Sequence, residues 1–191
     1  MEELIKKIKG STKLSLEAQD YFISISNEKF VAKESVLIRQ GQRVEKIYFV
    51  KSGCLRSYCI DKNGKEHTLQ FAIKDWWISD YIAIHTNELA TLTVECLSDS
   101  TIIEFNAKEM DSIFNRFPEF EPFQRKNLQR HIVSLQRRIL NQLQLSAAER
   151  YDLFLEQYVD IEKHTPNYHI ASYLGITQES LSRIRVNKSK K

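Results

Sequence analysis

Apolar and polar positions follow three different patterns along this chain of 191 residues. Residues 1–30 carry short apolar stripes at helical spacing, with Ser15 placed to cap the second of two helices. From about residue 31 to 105, short β-branched and aromatic runs alternate with turn signals such as the hairpin dipeptide Asn63-Gly64. Many short antiparallel strands with regular turns predict a β-barrel or a jelly roll. Helical spacing returns after this region, so the expected fold class is α+β.

Residues 167–186 predict two short helices joined by a tight turn. Five apolar side chains recur at helical spacing, and Gly175 stands where the turn needs a left-handed backbone conformation. Ala171 is small where the two helices would cross, and Thr177 can cap the second helix. The apolar positions are Ile170, Leu174, Ile176, Leu181 and Ile184. The pattern is typical of a DNA-reading helix-turn-helix, and the alternative is a helical hairpin that only closes a core.

The outer face of the second helix is polar and suited to nucleic acid. It would carry Gln178, Glu179, Ser182, Arg183 and Arg185, side chains that hydrogen-bond base edges and phosphates. Residues 124–191 hold 12 basic and 6 acidic residues, a net +6, whereas residues 1–123 hold 16 basic and 19 acidic residues, a net −3. A basic excess in the same part of the chain is what binding to double-stranded DNA requires.

A long helix is predicted from Glu121 to about Leu143. Its apolar positions are spaced four, three, four and four residues apart, close to a heptad seam over more than two heptads. These positions are Leu128, Ile132, Leu135, Ile139 and Leu143. One interpretation is that this seam packs on the chain's own roll. Its length, next to a DNA-reading unit, favours the other interpretation, which is pairing with a second copy of the chain.

Composition and motifs argue against several other classes of protein. With 42% hydrophobic and 28% charged residues, no membrane-spanning apolar run and no signal peptide, a cytoplasmic protein away from membranes is expected. Cys54, Cys59 and Cys96 form no CxxC pair, so reduced thiols and no metal site are expected. The five histidines form no HxH pair of a cupin-type enzyme, and no phosphate loop or nucleophile elbow occurs. No catalytic residue is therefore predicted.

The order of these parts resembles the Crp/Fnr superfamily of bacterial transcription regulators. The segment LIRQGQRVEKIYFVKSGCLRSYCIDKNGKEHTLQF is similar to the family's β-roll, and KDWWISDYI to its later, ligand-bearing segment. The most specific match is IASYLGITQESLSRIR, which is similar to the family's recognition unit. The chain stops soon after it, as in a short-tailed subgroup associated with Bacteroidetes. The resemblance implies an effector-type β-roll over residues 1–118, a dimerisation helix over 119–144 and a DNA-binding domain over 145–191.

The resemblance also implies a homodimer that regulates transcription from a palindromic operator, with RNA polymerase as a further partner if it is an activator. The family's base-reading positions fall on Gln178, Glu179 and Arg183, with Ser182 beside them. Arg183 is the candidate for a bidentate guanine contact, because only a guanidinium fork matches both guanine acceptors. The family often has Arg where Gln178 stands, so a different operator preference is expected there. Phosphate contacts would come from Thr177, Arg185 and Lys188.

At the ligand positions of the roll the chain departs from the family. Cyclic-nucleotide binders use a Gly-Glu pair for the ribose and an Arg-Ser or Arg-Thr pair for the phosphate. These pairs align here with Ser79-Asp80 and Ala90-Thr91. A buried phosphate without a cation is costly, so cyclic AMP is not expected to bind and no cofactor is implied. The roll is either filled by its own side chains or holds an unidentified effector. Candidate lining residues are Tyr58, Phe71, Trp76, Trp77, Ser79, Asp80, Ala90 and Thr91.

The alternative to a DNA-binding regulator is a β-roll that acts only as a protein-interaction module, with a C-terminal unit that does not bind DNA. Duplex binding that weakens steeply as salt rises separates the two, because phosphate contacts release counterions. In the regulator, an effector in the roll would shift the seam helix and with it the two recognition helices.

Overall fold

The computed structural model describes residues 1–163 and 165–189. Two helices come first, α1 (Glu2–Lys9) and α2 (Leu16–Ser24). The hydroxyl oxygen of Ser15 accepts a hydrogen bond of 3.1 Å from the backbone N–H of Ala18, so Ser15 caps α2 as predicted.

The helical prediction for residues 1–30 is wrong at its end, because Ser26–Val31 forms strand β1. This strand pairs along its whole length with residues 100–105, far away in the sequence. Such long-range pairing decides the conformation of a short segment with weak local preference.

The described strands form a roll of two antiparallel sheets. After β1 they are β2 (Val36–Ile38), β3 (Lys46–Ser52), β4 (Leu55–Ile60), β5 (Glu66–Ala72), β6 (Trp77–Ile78), β7 (Thr93–Cys96) and β8 (Ser100–Asn106). One sheet has the order β1-β8-β3-β6 and the other β2-β7-β4-β5. The predicted antiparallel β-roll is therefore confirmed, and β5 is an edge strand of its sheet.

Glycines close two of the hairpins. Gly64, in the predicted Asn63-Gly64 turn between β4 and β5, has φ +79°. Gly53, between β3 and β4, has φ +92°, and a Cβ atom there would lie 2.6 Å from the carbonyl oxygen of Asp99. Only glycine fits this second turn, because both the backbone angle and the close approach exclude a side chain.

The remaining elements are helices. They are α3 (Tyr81–Thr86), α4 (Ala107–Arg116), α5 (Glu121–Gln144), α6 (Ala147–Gln157), α7 (Asn167–Leu174) and α8 (Gln178–Ser189). The sequence pattern did not predict α3, whereas Ser146 and Glu149 form a capping box at the start of α6. Among the described helices, none is both long and apolar enough to cross a membrane.

Three apolar clusters hold these elements together. One packs α1, α2 and α4 against the outer sheet face around Phe22 and Phe105. The second lies around Val50 and Leu55, with residues from both sheets. The third joins Phe71 of β5 to aromatic and aliphatic side chains of α6, α7 and α8. The C-terminal helices therefore pack directly on the edge strand β5. The division into three domains at residues 118 and 144 stays a prediction.

Candidate nucleic-acid interface

Helices α7 and α8 form the predicted helix-turn-helix. Helix α7 ends at Gly175, whose backbone is left-handed at φ 68° and ψ 35°. The backbone N–H of Ile176 then donates to the carbonyl oxygen of Ala171 over 3.0 Å, which closes the turn. Ile170, Leu174 and Leu181 are buried with aromatic side chains of α6. The apolar face thus closes a core, and the polar face of α8 points outward.

The outer face of α8 carries exposed groups that can donate and accept hydrogen bonds. Gln178, Glu179, Ser182 and Arg183 are all exposed. The backbone N–H of Glu179, the Thr177 hydroxyl and nearby Arg183 hold the pKa of the Glu179 carboxyl below its usual range. Arg183 makes no hydrogen bond or ion pair within residues 1–163 and 165–189. Its guanidinium group is therefore available for an outside partner.

Thr177 lies at the start of α8. Its hydroxyl oxygen accepts a hydrogen bond of 3.2 Å from the backbone N–H of Ser180, which is the predicted capping contact. This contact orients the first turn of α8, where Gln178 and Glu179 lie.

Arg185 and Lys188, predicted as phosphate contacts, are engaged inside the C-terminal unit. Arg185 donates to the Tyr151 hydroxyl over 2.9 Å and to Asn167 Oδ1 over 2.5 Å, and it pairs with Glu162. Lys188 pairs with Asp152 of α6. Both side chains tie α8 to the rest of its own unit, which gives them a structural role, and their contacts to phosphate stay a prediction.

Replacement of Arg185 tests this assignment. Arg185→Ala removes hydrogen bonds to Tyr151, Asn167 and Glu162, and we expect it to lower the free energy of unfolding by about 1–3 kcal/mol. Urea denaturation followed by circular dichroism measures the change. The matched control is Arg183→Ala, which should leave the unfolding free energy unchanged. Equal stability of the two variants would show that Arg185 does not hold α8.

The seam of α5 is exposed along its length. Leu128, Ile132, Leu135, Ile139 and Leu143 are between 40% and 78% exposed, and α5 contains no buried residue. The interpretation that this stripe packs on the chain's own roll is therefore wrong. Ile82 of α3 and Leu89 are also exposed apolar residues, outside α5. Helix α3 contacts α5 through the rings of Tyr81 and His131, whose centroids are 6.2 Å apart.

Another side of α5 borders a groove of about 940 Å³ that it forms with α6. Val133 and Leu153 provide apolar wall, and Arg130 and Arg137 provide positive charge. The groove lies between α5 and α6, on a side of α5 that carries none of the seam residues. Val133 is an apolar residue of α5 that lies outside the seam.

The candidate ligand positions of the roll are occupied by the protein's own hydrogen bonds. Asp80 is fully buried, and one carboxylate oxygen accepts from the backbone N–H groups of Thr91 over 2.6 Å and Leu92 over 2.9 Å. The Thr91 hydroxyl donates to the same oxygen over 2.9 Å. Ser79 donates to the carbonyl oxygen of Lys46, and the Ala90 N–H donates to that of Gln42. The Asp80 carboxylate thus accepts hydrogen bonds from the amides of Thr91 and Leu92 and from the Thr91 hydroxyl.

The aromatic residues of the predicted effector pocket lie in different places. Phe71 and Trp76 pack against Tyr158, the residue that follows α6, at ring distances of 5.8 Å and 5.6 Å. Trp77 packs against Phe49 and Phe105 in the cluster with α1 and α2. A further member, Tyr58, lies under the guanidinium of Arg56. The two tryptophans lie in different apolar clusters, as the alternation of side chains along a strand predicts. An effector pocket lined by these residues stays a prediction.

The cysteines and histidines of the described residues form no site for chemistry. Burial raises the pKa of the Cys54 thiol to about 12 and that of Cys96 to about 11, so both thiols stay protonated at neutral pH. In the described ranges, no three His, Cys, Asp or Glu side chains are grouped to hold a metal ion.

Sequence reasoning missed a buried group that links the roll to α7. Arg56 of β4 is 1% exposed and contacts Glu66, Glu95 and His169. An arginine within the otherwise apolar run of β4 was the available signal, since a buried cation needs partners. Its carboxylate partners lie on the two neighbouring strands, so only the sheet order reveals them.

Comparisons with known proteins agree with this architecture. A family model for the cyclic nucleotide-binding domain matches residues 28–117. The regulatory protein HlyX of Actinobacillus pleuropneumoniae is 23% identical over 84% of this chain and 70% of its own length. The anaerobic regulatory protein of Haemophilus influenzae is 23% identical over 84% of this chain and 66% of its own. In domain content and in sequence, this chain is similar to transcription regulators of the Crp/Fnr type.

Solved structures share the fold of this protein. FixK2 from Bradyrhizobium japonicum has a TM-score of 0.74 at 17% identity, covering 87% of this chain and 85% of its own. A putative transcriptional regulator of the Crp/Fnr family from Eubacterium rectale has a TM-score of 0.73 at 18% identity, covering 93% and 85%. The chain spans about two thirds of the length of the curated relatives it matches. Those relatives are regulators rather than enzymes.

Proposed function

We propose that this protein is a sequence-specific regulator of the Crp/Fnr type that binds double-stranded DNA as a homodimer on a palindromic operator. The observation that carries the proposal is the exposed outer face of α8, where Gln178, Glu179 and Arg183 project from a helix whose other face is buried. A helix held in this way can enter the major groove with its first turns against base edges. Ser182 lies on the same face, and Thr177 is close enough to the helix start to contact a phosphate.

Dimerisation through α5 supports this function. The seam from Leu128 to Leu143 leaves apolar side chains in water along a helix of 24 residues. Pairing of two such helices buries the seams against each other, in the manner of a coiled coil. It also presents two recognition helices to successive major grooves, which is how dimeric helix-turn-helix proteins read a palindrome.

The protein-interaction module without DNA binding is the second candidate. It would explain the roll and its packing against the C-terminal unit. It does not explain why Arg183 has no ion pair within the described residues, nor why residues 124–191 carry a net charge of +6. Both features favour the DNA-binding regulator, with RNA polymerase as a partner if it activates transcription.

We also propose that cyclic AMP is not the effector. A cyclic phosphate in the roll would meet the buried Asp80 carboxylate, which already accepts the hydrogen bonds of Thr91 and Leu92. The segment also has Ala90 where a cation would be needed. We expect isothermal titration of the purified protein with cyclic AMP to give no binding heat up to millimolar ligand. Binding with a micromolar Kd would contradict this proposal.

Selection of bound sequences from a random duplex pool tests the function directly. With no effector added, we expect enrichment of a palindrome whose half-sites lie about one helical turn, or 34 Å, apart. Affinity for the selected duplex should fall steeply as salt rises. No enrichment at low salt, together with no salt-dependent duplex binding, would favour the protein-interaction module instead.

A further inference from the structure

A buried charged cluster connects the roll to the helix-turn-helix unit. Arg56 of β4 donates from Nε to Glu95 of β7 over 2.6 Å and from Nη2 to Glu66 of β5 over 2.5 Å. Its Nη1 donates to the Thr68 hydroxyl over 3.3 Å and to Nδ1 of His169 in α7. One guanidinium group thus ties two neighbouring strands and helix α7 of the C-terminal unit together.

His169 takes part as an acceptor. Arginine has no acceptor atom, so Nδ1 of His169 must be unprotonated to receive the Arg56 hydrogen bond. Burial, and then the nearby Arg56 charge, lower the pKa of His169 to about 3. Glu66 and Glu95, whose carboxylate oxygens lie 3.9 Å and 4.0 Å from the imidazole nitrogens, are already bonded to Arg56. The contact therefore persists at neutral pH.

Polar contacts from the same unit close the free edge of β5. The Ser172 hydroxyl of α7 accepts from the backbone N–H of Thr68 and donates to the carbonyl oxygen of Glu66, both over 2.9 Å. Arg138 of α5 donates to the carbonyl oxygens of Thr68, Leu69 and Tyr173. Proteins normally cover or pair the free hydrogen-bonding groups of an edge strand. In this protein, the groups that cover the edge of β5 come from α5 and from α7 of the DNA-reading unit.

We propose that Arg56, Arg138, His169 and Ser172, with the edge of β5, form an interdomain latch that sets the operator half-site spacing the dimer accepts. The proposal rests on the proposed function. The latch holds α7 and leaves the outer face of α8 exposed, so the docked unit is ready to read DNA. A rigid unit loses little freedom on binding and accepts one spacing, whereas an undocked unit would accept several.

The test compares operator spacings for full-length variants. His169→Leu with Ser172→Ala removes the side-chain hydrogen bonds from α7 to the roll, while Ile170, Ala171 and Leu174 keep the apolar core of the unit. Dissociation constants are measured on the selected operator and on duplexes whose half-sites are moved by two base pairs. Wild type should prefer the selected spacing by about tenfold or more. The double variant should lose most of this preference and bind the selected duplex about 3–10-fold more weakly.

Two further variants separate positioning from folding. His169→Asn places an amide oxygen near the position of Nδ1, where it can accept the Arg56 hydrogen bond. This single variant should therefore keep the wild-type spacing preference that the double variant loses. Tyr168→Phe, a change at an exposed position of the same helix, should leave the preference as in wild type. If the double variant lacks the wild-type circular dichroism spectrum, Ser172→Ala alone should give an intermediate preference.

The outcomes distinguish this proposal from the proposed function. A double variant that keeps the wild-type spacing preference overturns the latch and leaves the DNA-binding regulator intact. A double variant that binds all duplexes more tightly also overturns it, because the contacts would then inhibit binding. A wild-type protein that selects no duplex overturns the proposed function, and the spacing role fails with it.

Discussion

Ile132→Glu combined with Ile139→Glu is expected to convert the proposed dimer to a monomer and to remove operator binding. Both isoleucines are more than half exposed on α5, at 54% and 58%. Their burial in a helix pair involves four side chains, and half of the usual transfer free energy for each gives about 3–6 kcal/mol in total. Loss of this burial alone weakens dimerisation by about a hundredfold to ten-thousandfold, and the buried charges add to the effect.

Sedimentation equilibrium measures the oligomeric state, and titration of the selected duplex measures its affinity. Val133→Glu is the matched control, because Val133 is also apolar and 46% exposed but borders the groove with α6. It lies about 100° round the helix from Ile132. We expect this control to remain dimeric. A seam variant that stays dimeric, or a control that dissociates equally, would place the dimer interface elsewhere.

Arg183→Ala is expected to weaken binding to the selected operator by about 1–3 kcal/mol, which is about 5-fold to 150-fold. The reason is that the guanidinium group of Arg183 can donate to both acceptors of a guanine. Binding to an unrelated duplex should change much less, since it depends on phosphate contacts. Replacement of the contacted guanine should then weaken wild-type binding but have little further effect on the variant.

The control for this prediction is Arg125→Ala, which removes an exposed arginine of α5 outside the recognition helix. Fluorescence anisotropy at two salt concentrations separates specific from general electrostatic effects, because a removed base contact changes the affinity ratio between duplexes. If both alanine variants lose the same factor on operator and unrelated DNA, Arg183 contributes only charge and the assigned orientation of α8 is wrong.

Local signals in the sequence predicted most of the elements correctly. Ser15 and Ser146 cap the helices that follow them, because a hydroxyl oxygen satisfies a free N–H group whatever the surroundings. Gly64 and Gly175 occupy the left-handed turns, since glycine adopts that conformation at little cost. Short elements with weak local preference were missed, namely β1 at Ser26–Val31 and α3 at Tyr81–Thr86.

The candidate site also contains some features that the sequence could predict and others that it could not. The exposed face of α8 could be predicted, because helical periodicity alone separates its buried Leu181 from exposed Gln178 and Arg183. The roles of Arg185 and Lys188 could not be predicted, because their partners Glu162 and Asp152 lie 23 and 36 residues away and meet them only after folding. The separation of two residues along the chain does not show whether they form an ion pair after folding.

The sequence by itself determined the antiparallel roll, the seam helix and the helix-turn-helix, because periodicity, caps and turn residues act over a few neighbouring positions. Only the tertiary structure decided what the buried and charged groups do. The Asp80 carboxylate accepts hydrogen bonds from Thr91 and Leu92, and Arg56 reaches His169 across 113 residues. These outcomes depend on which strands become neighbours and where α7 docks, and long-range packing sets both.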